Sequence, residues 1–315
     1  MKKSLSDYYS KIFLHIGGHR TGTSRLQKYL LELQESAASN NCDFVTPQVS
    51  GQRELPDHRN LIKKYFKQHA RLEKKPWVLK FIHQNRLEKI FAKYVDFITP
   101  KSSTLVMSEE NFLGQAFYSE LPGVLYPDAE RNLRAVRSLT GLNIEKIFLS
   151  IRPYPDFLLS YDLMREAYFN RGIGFRNLAN WASGELQGWQ TLLEVLRLVF
   201  PNTEIEIWPY GDVAIEEQVS RLTSFSISEV CLGSDEEIIN ASASFEALKV
   251  LKEKRLAGLK LGKEEVDNIL KSVRGKNISR SDIFSDVELR RLSKIYLSEV
   301  QSISKMSNVS VLGRF

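Results

Sequence analysis

Cysteine and long apolar runs are both scarce in this chain of 315 residues. Its two cysteines, Cys42 and Cys231, lie far apart and have no partner at metal-ligand spacing, so a disulfide framework and a cysteine metal site are both unexpected. No apolar run is long enough to cross a bilayer, and the first ten residues lack the apolar segment of a secretory signal. We therefore expect free thiols, no transmembrane segment and a cytoplasmic location.

A large excess of charge of one sign is also missing. The chain has 44 Lys and Arg against 38 Asp and Glu, a net charge of +6. This balance argues against a dedicated nucleic-acid binder and is compatible with a polyanionic ligand. Hydrophobic residues make up 43% of the chain, and no linker or internal repeat divides it. We expect a single α/β domain over residues 1–315.

Strand-like and helical segments alternate along most of the sequence. Helical patterns cover residues 24–34, 128–140 and 155–168, and the C-terminal part, roughly residues 242–315, is mostly helical. Strand-like runs occur at residues 11–16, 104–108, 146–151 and 204–208, with a further candidate at 41–46. This alternation predicts an α/β fold with a doubly wound parallel sheet flanked by helices.

A glycine-rich turn connects the first predicted strand to the first helix. From Gly17 to Ser24 it reads Gly-Gly-His-Arg-Thr-Gly-Thr-Ser. Glycine lets the backbone approach a ligand closely, and the N–H groups of the following helix attract an anion. The nucleotide P-loop requires lysine after its second glycine, where this chain has Thr23. The predicted phosphate or sulfate cradle consists of Gly18, His19, Arg20, Thr21, Gly22, Thr23 and Ser24.

A second strand–turn–helix unit follows the strand predicted at residues 146–151. Arg152 ends that strand, two prolines suit the turn, and Ser160 lies eight residues after Arg152. An arginine fork and a hydroxyl converging on one phosphate would make strong charge-assisted contacts. Each residue also has an ordinary explanation: Arg152 as an ion-pair partner, Asp156 as a helix N-terminal charge, Ser160 as an exposed helix residue.

Together the two units resemble the bacterial-type sulfotransferases that use 3′-phosphoadenosine-5′-phosphosulfate (PAPS) and have a P-loop-like fold. The turn resembles their 5′-phosphosulfate loop, with Arg20 where the family usually has lysine. Arg152, Asp156 and Ser160 match the three residues of their 3′-phosphate motif. The resemblance implies in-line transfer of a sulfuryl group from PAPS to a hydroxyl or amine of a carbohydrate, lipid or small molecule. It also implies 3′-phosphoadenosine-5′-phosphate (PAP) as product and no required metal.

The catalytic base is predicted from the segment Ser-Glu-Glu-Asn-Phe at residues 108–112, which resembles Ser-x-Glu-Asn-Phe in the bacterial enzymes. Adjacent side chains point to different sides, so we expect one glutamate to face the cofactor, and we predict Glu110 rather than Glu109. His83 is the other candidate, since cytosolic aryl sulfotransferases use a histidine after a strand. Arg20 is expected to stabilise the departing phosphate.

Weaker features and other functions remain open. Residues 208–212 either place an aromatic ring near adenine or form a core tryptophan and a turn, and residues 255–263 are interpreted as structural. Arg165, Arg171 and Arg176 either contact an anionic acceptor or form a solvated face. Two alternative functions are a P-loop kinase or nucleotide hydrolase, disfavoured by the missing lysine, and a non-catalytic PAP-binding module.

Overall fold

Six parallel strands form one sheet in the spatial order β2-β3-β1-β4-β5-β6. The computed structural model describes residues 3–47, 58–172, 174–223, 243–273 and 275–313. The strands are β1 (Lys11–His15), β2 (Cys42–Val45), β3 (Thr104–Ser108), β4 (Ile144–Ile151), β5 (Glu204–Pro209) and β6 (Val309–Val311).

Helices cover both faces of the sheet, as a parallel sheet requires. Within the described residues they are α1 (Thr23–Glu32), α2 (Gln34–Ser39), α3 (His58–Lys74), α4 (Trp77–Ile98), α5 (Ala129–Thr140), α6 (Tyr154–Phe169), α7 (Phe175–Ser183), α8 (Trp189–Val199), α9 (Ile215–Thr223), α10 (Phe245–Leu256), α11 (Lys263–Ser272) and α12 (Asp286–Ile303).

Side chains that alternate along the strands pack into two separate hydrophobic cores. Ile12 and Leu14 of β1 lie in the larger core, which includes residues of α3, α5, α6, α8 and α12. Phe13, between them in sequence, lies in a smaller core with residues of α1 and α9. This alternation with a period of two residues is what a strand buried on both faces produces, and it fixes which helices lie on each face.

The parallel strands place the loops that follow their carboxyl ends at one edge of the sheet. β1 lies between β3 and β4, so the chain moves to one side of β1 for β2 and β3 and to the other side for β4 to β6. Ligands of such sheets bind outside the carboxyl ends of the strands, at the point where the order reverses. Here that point is the end of β1, where the glycine-rich turn begins.

The predicted α/β fold class is confirmed, including the helical C-terminal part. All five predicted strands are present, with ends within two residues of the prediction. The helix predicted at 24–34 is wrong at its end, because α1 stops at Glu32 and α2 starts at Gln34. The sequence interpretation missed β6, a three-residue strand that pairs with β5 at the edge of the sheet formed by the described residues.

Two expectations from composition can be compared with the described residues. Cys42 is a buried free thiol, whereas Cys231 lies outside the described residues. Across the described ranges, none of the helices combines the length and the apolar character needed to cross a membrane.

Candidate anion-binding site

The glycine-rich turn places a helix N-terminus at the end of β1. Gly22 is the N-cap of α1 and has φ of 85°, a left-handed conformation that costs glycine little. Arg20 also has positive φ, 63°, which costs a residue with a side chain on the order of 1 kcal/mol. The first N–H groups of α1 have no acceptor within the helix. The turn therefore presents the N–H groups of Thr23 and Ser24 next to a strained arginine, whereas the Arg25 N–H donates to the Gly22 carbonyl oxygen at 3.0 Å.

Gly18 attaches the turn to β4. Its N–H donates to the carbonyl oxygen of Ser150 in β4 at 3.0 Å. A Cβ at this position would lie 3.0 Å from that oxygen and 3.1 Å from the ring of Trp189. Gly18 was predicted to contact the cofactor. It instead packs against β4 and does not line the cavity in front of the turn.

Arg152 and Ser160 lie against this turn. The Arg152 guanidinium donates through Nη1 to the carbonyl oxygen of Arg20 at 2.8 Å. Arg20 Nε in turn donates to Ser160 Oγ at 2.8 Å. The Arg152 guanidinium also lies over the ring of Tyr210, 4.5 Å from its centroid, a cation–π contact. Residues that are 132 and 140 positions apart in sequence thus meet at one point.

The Arg152 guanidinium is close enough to Arg20 to disfavour the positive charge of Arg20. Burial, and then the charge of Arg152, lower the pKa of Arg20. Asp156, the middle residue of the second motif, does not offset them, because it accepts a hydrogen bond from Arg280 at 3.1 Å and does not line the cavity. An anion between Arg20 and Arg152 would relieve this repulsion.

A cavity of about 1180 Å³ opens in front of the turn. Among the described residues, its lining includes five basic residues against two acidic residues, Glu110 and Glu216. The basic residues are Arg20, Arg25, Arg59, Arg152 and Lys263. A positively lined concave site focuses its field on anionic ligands.

Most residues of the predicted cradle line this cavity: His19, Arg20, Thr21, Gly22, Thr23 and Ser24. The hydroxyl of Thr23, however, is buried and has no hydrogen-bond partner among the described residues. It lies only 2.1 Å from where a Cβ on Gly17 would be, so it points back toward the end of β1. Thr23 therefore offers the cavity its backbone, and its hydroxyl is left unsatisfied.

His19 is a buried member of the turn. Its backbone N–H donates to Tyr126 Oη at 2.8 Å, and its Nδ1 lies 3.3 Å from the same oxygen. Its ring packs edge-on against Tyr161. Burial lowers the pKa of His19, so the ring is neutral at neutral pH and contributes hydrogen bonding rather than charge.

The two glutamates after β3 point in different directions, as expected for adjacent residues. Glu110 lines the cavity, and Arg59 Nη2 lies 3.2 Å from its Oε1. Glu109 is fully buried and accepts from the backbone N–H and side-chain amide of Asn111 at 2.9 and 2.7 Å. Glu109 therefore caps the short 3-10 turn that follows β3, and it is not placed to act as a base at the cavity.

His83 is also away from the cavity. The segment that suggested it, residues 78–83, belongs to α4, so the strand context on which its candidacy depended is absent. Its Nδ1 lies 2.9 Å from Gln68 Nε2, which also donates to the His83 carbonyl at 3.1 Å. The histidine joins α3 to α4.

Several cavity residues were missed or misinterpreted from sequence. Arg59 comes from α3, a segment that the resemblance does not cover. In residues 208–212, Trp208 is buried in the core, as one of the two interpretations predicted. Tyr210 lines the cavity, and an aromatic contact with adenine stays a prediction. The structural interpretation of residues 255–263 is wrong at its end: α10 stops at Leu256, and residues 261–263 line the cavity.

The three arginines after the second motif do not form a cluster at the cavity. Arg165 donates to the carbonyl oxygen of Phe117 at 3.1 Å, and Arg171 is exposed and does not line the cavity. The Arg176 side chain lies outside the described residues. Within the described ranges, no cluster of three or more His, Cys, Asp or Glu side chains is arranged to hold a metal ion.

Comparison with known proteins adds little to this geometry. No protein-family model and no curated protein sequence matches the chain. Among solved structures, a GTPase from Pyrococcus abyssi in its apo form is similar over 68% of this chain and 96% of that protein, with 13% identity and a TM-score of 0.25. A superposition this weak carries no information about ligand or activity.

Proposed function

We propose that the cavity binds PAPS and that the protein transfers its sulfuryl group to an acceptor. The observation that carries the proposal is the meeting of Arg152 and Ser160 with the glycine-rich turn through Arg20. A nucleotide with phosphate groups on both its 5′ and 3′ oxygens needs two anion sites within one cavity. The N-terminus of α1 supplies the first site, and Arg152 with Ser160 supplies the second.

The donor set fits the chemistry of such a nucleotide. Positive groups outnumber negative groups among the described residues that line the cavity, which suits a ligand with several negative charges. Arg20 bridges the two sites, since it belongs to the turn in sequence and donates to Ser160 in space. Tyr210 adds an exposed aromatic face beside Arg152. The fit depends on backbone N–H groups and guanidinium forks rather than on the Thr23 hydroxyl.

The proposed reaction is a displacement at sulfur. The acceptor oxygen or nitrogen forms a bond to sulfur while the bond from sulfur to the 5′-phosphate oxygen breaks. The electron pair of that bond remains on the phosphate of PAP, where Arg20 and the N-terminus of α1 stabilise it. The proton of the acceptor passes to the carboxylate of Glu110. Arg59 holds this carboxylate at the end of β3.

The residues at the two motifs do not favour a P-loop kinase or nucleotide hydrolase. Lysine is required after the second glycine of that loop to contact the β- and γ-phosphates, and Thr23 occupies the position here. The residue after β4 is Arg152, a phosphate ligand rather than a magnesium ligand. Binding of a 3′-phosphorylated nucleotide follows more directly from this set.

Calorimetric titration tests the ligand. The protein should bind PAP without magnesium and at least about tenfold more tightly than AMP, because AMP lacks the 3′-phosphate that Arg152 and Ser160 would contact. Ser160→Ala should reduce this preference. Magnesium-dependent binding of ATP in preference to PAP would overturn the proposal.

A transfer assay with PAPS and a broad panel of hydroxyl and amine acceptors tests the reaction. Acceptor-dependent release of PAP supports transfer. Tight PAP binding by the wild-type protein without transfer to any acceptor would instead favour a non-catalytic PAP-binding module.

A further inference from the structure

The positive charge of this protein is concentrated in one helical hairpin. Residues 58–98, which form α3, α4 and the two-residue link between them, contain eleven Lys or Arg against three Asp or Glu, a local charge of +8. Because the whole chain carries +6, the rest of it carries −2. The modest net charge of the chain is therefore the sum of a strongly basic hairpin and a slightly acidic remainder.

Large apolar side chains protrude from the same hairpin. At the start of α4, Leu79 is 42% exposed, Phe81 is 73% exposed and Ile82 is 49% exposed. Exposed lysines flank them, Lys74 and Lys75 before the helix and Lys80 among them. We call residues 74–82 the α3–α4 tip. A contiguous exposed apolar group marks an interaction surface more often than scattered single residues do.

The base of the tip is anchored to the body of the protein. Gln68 of α3 and His83 of α4 are hydrogen bonded immediately below it. Leu72 and Leu87 near that bond are buried in the larger core. Because only Lys75 and Pro76 link the two helices, the first turn of α4 has little freedom to fold back and bury its apolar side chains. Their exposure is fixed by the hairpin itself.

We propose that the α3–α4 tip docks on an anionic membrane surface. Phe81, Ile82 and Leu79 would enter the boundary between headgroups and acyl chains, while the lysines contact lipid phosphates. The combination of exposed apolar side chains and lysines favours an anionic membrane over other partners. A nucleic acid would satisfy the lysines but offers no apolar phase for Leu79 and Ile82, and an uncharged apolar partner would leave the lysines unpaired.

The geometry keeps the cavity accessible while the tip is docked. Arg59, in the first turn of α3, lines the cavity, and Lys74 ends the same helix fifteen residues later. At 1.5 Å per residue this separates the tip from the cavity by roughly 22 Å. Docking would hold the cavity close to the membrane without covering it. The inference rests on charge and exposure alone and does not depend on the proposed transfer reaction.

Co-sedimentation with lipid vesicles tests the proposal. The wild-type protein should bind vesicles of equal parts phosphatidylglycerol and phosphatidylcholine, and should not bind phosphatidylcholine alone. Replacing both apolar residues, Phe81→Ser with Ile82→Ser, should weaken binding at least about tenfold. Reversing charge, Lys74→Glu with Lys75→Glu, should do the same and should reduce the dependence of binding on salt.

Matched controls carry the same changes elsewhere. Leu142→Ser with Leu198→Ser removes two side chains that are 82% and 61% exposed outside the hairpin, and Lys252→Glu with Lys254→Glu reverses two exposed charges on α10. Both controls should bind like the wild type, and all variants should melt at similar temperatures. Absence of binding to the anionic vesicles would overturn the proposal. So would binding that the Phe81 and Ile82 changes leave intact, because that result would indicate attraction of the lysines to any polyanion, including RNA.

Discussion

Arg152→Ala should weaken PAP binding by about two orders of magnitude and leave AMP binding almost unchanged. The guanidinium has five N–H donors, and one is used on the carbonyl oxygen of Arg20. Two of the other donors can form a bidentate contact with a phosphate. A hydrogen bond to a charged group contributes about 1.5–3 kcal/mol. Because Arg152 is half-buried, we take the lower value for each of two bonds, about 3 kcal/mol, or roughly 150-fold in Kd.

A second variant of Arg152 separates the contribution of its positive charge from that of its planar guanidinium. Arg152→Lys keeps the positive charge but loses the fork and the planar contact with Tyr210, so its loss should be smaller, about tenfold. Calorimetric titration with PAP and with AMP measures both. Arg134→Ala, which removes an exposed ion pair with Glu130 on α5, is the control and should bind like the wild type. An Arg152→Ala protein that binds PAP within about threefold of the wild type would refute this reasoning.

Three further changes test other parts of the account. Glu110→Gln should lower the rate of sulfuryl transfer by about 10²–10⁴ without changing the Kd of PAP; an equal loss of both would show that Glu110 supports binding rather than proton transfer. Thr23→Val should raise the free energy of unfolding by about 1 kcal/mol in urea, because it removes a buried hydroxyl that has no partner among the described residues; a loss of similar size would show that the hydroxyl is satisfied. Burial lowers the pKa of His15 to about 3, so the unfolded chain binds a proton that the folded protein excludes, and stability falls by about 1.4 kcal/mol per pH unit as the pH drops below 6.5 toward 3. His15→Asn should make this slope shallower, and an unchanged slope would contradict the assignment.

The parts of the fold that sequence predicted are those with strong local patterns. β1, the glycine-rich turn and α1 follow one another within about twenty residues, each with its own signal of apolar run, glycine or helical spacing. β6 lacked such a signal, because it has three half-buried residues and exists through pairing with β5. Tertiary pairing, not local preference, makes it a strand.

The site was predictable where the residues follow a strand end. Arg20, Glu110 and Arg152 each come after a strand, and the carboxyl ends of parallel strands share one edge of the sheet. Arg59 and Lys263 reach the same cavity from the starts of helices α3 and α11. Their positions depend on how those helices pack against the sheet, which no spacing within their own segments encodes.

A crystal structure of the protein with PAP tests the central claim most directly. The account predicts that the 5′-phosphate contacts the backbone N–H groups of residues 22–24 and that the 3′-phosphate lies between Arg152 and Ser160. A nucleotide bound with both phosphates away from Arg152, or with its phosphates outside the glycine-rich turn, would contradict it.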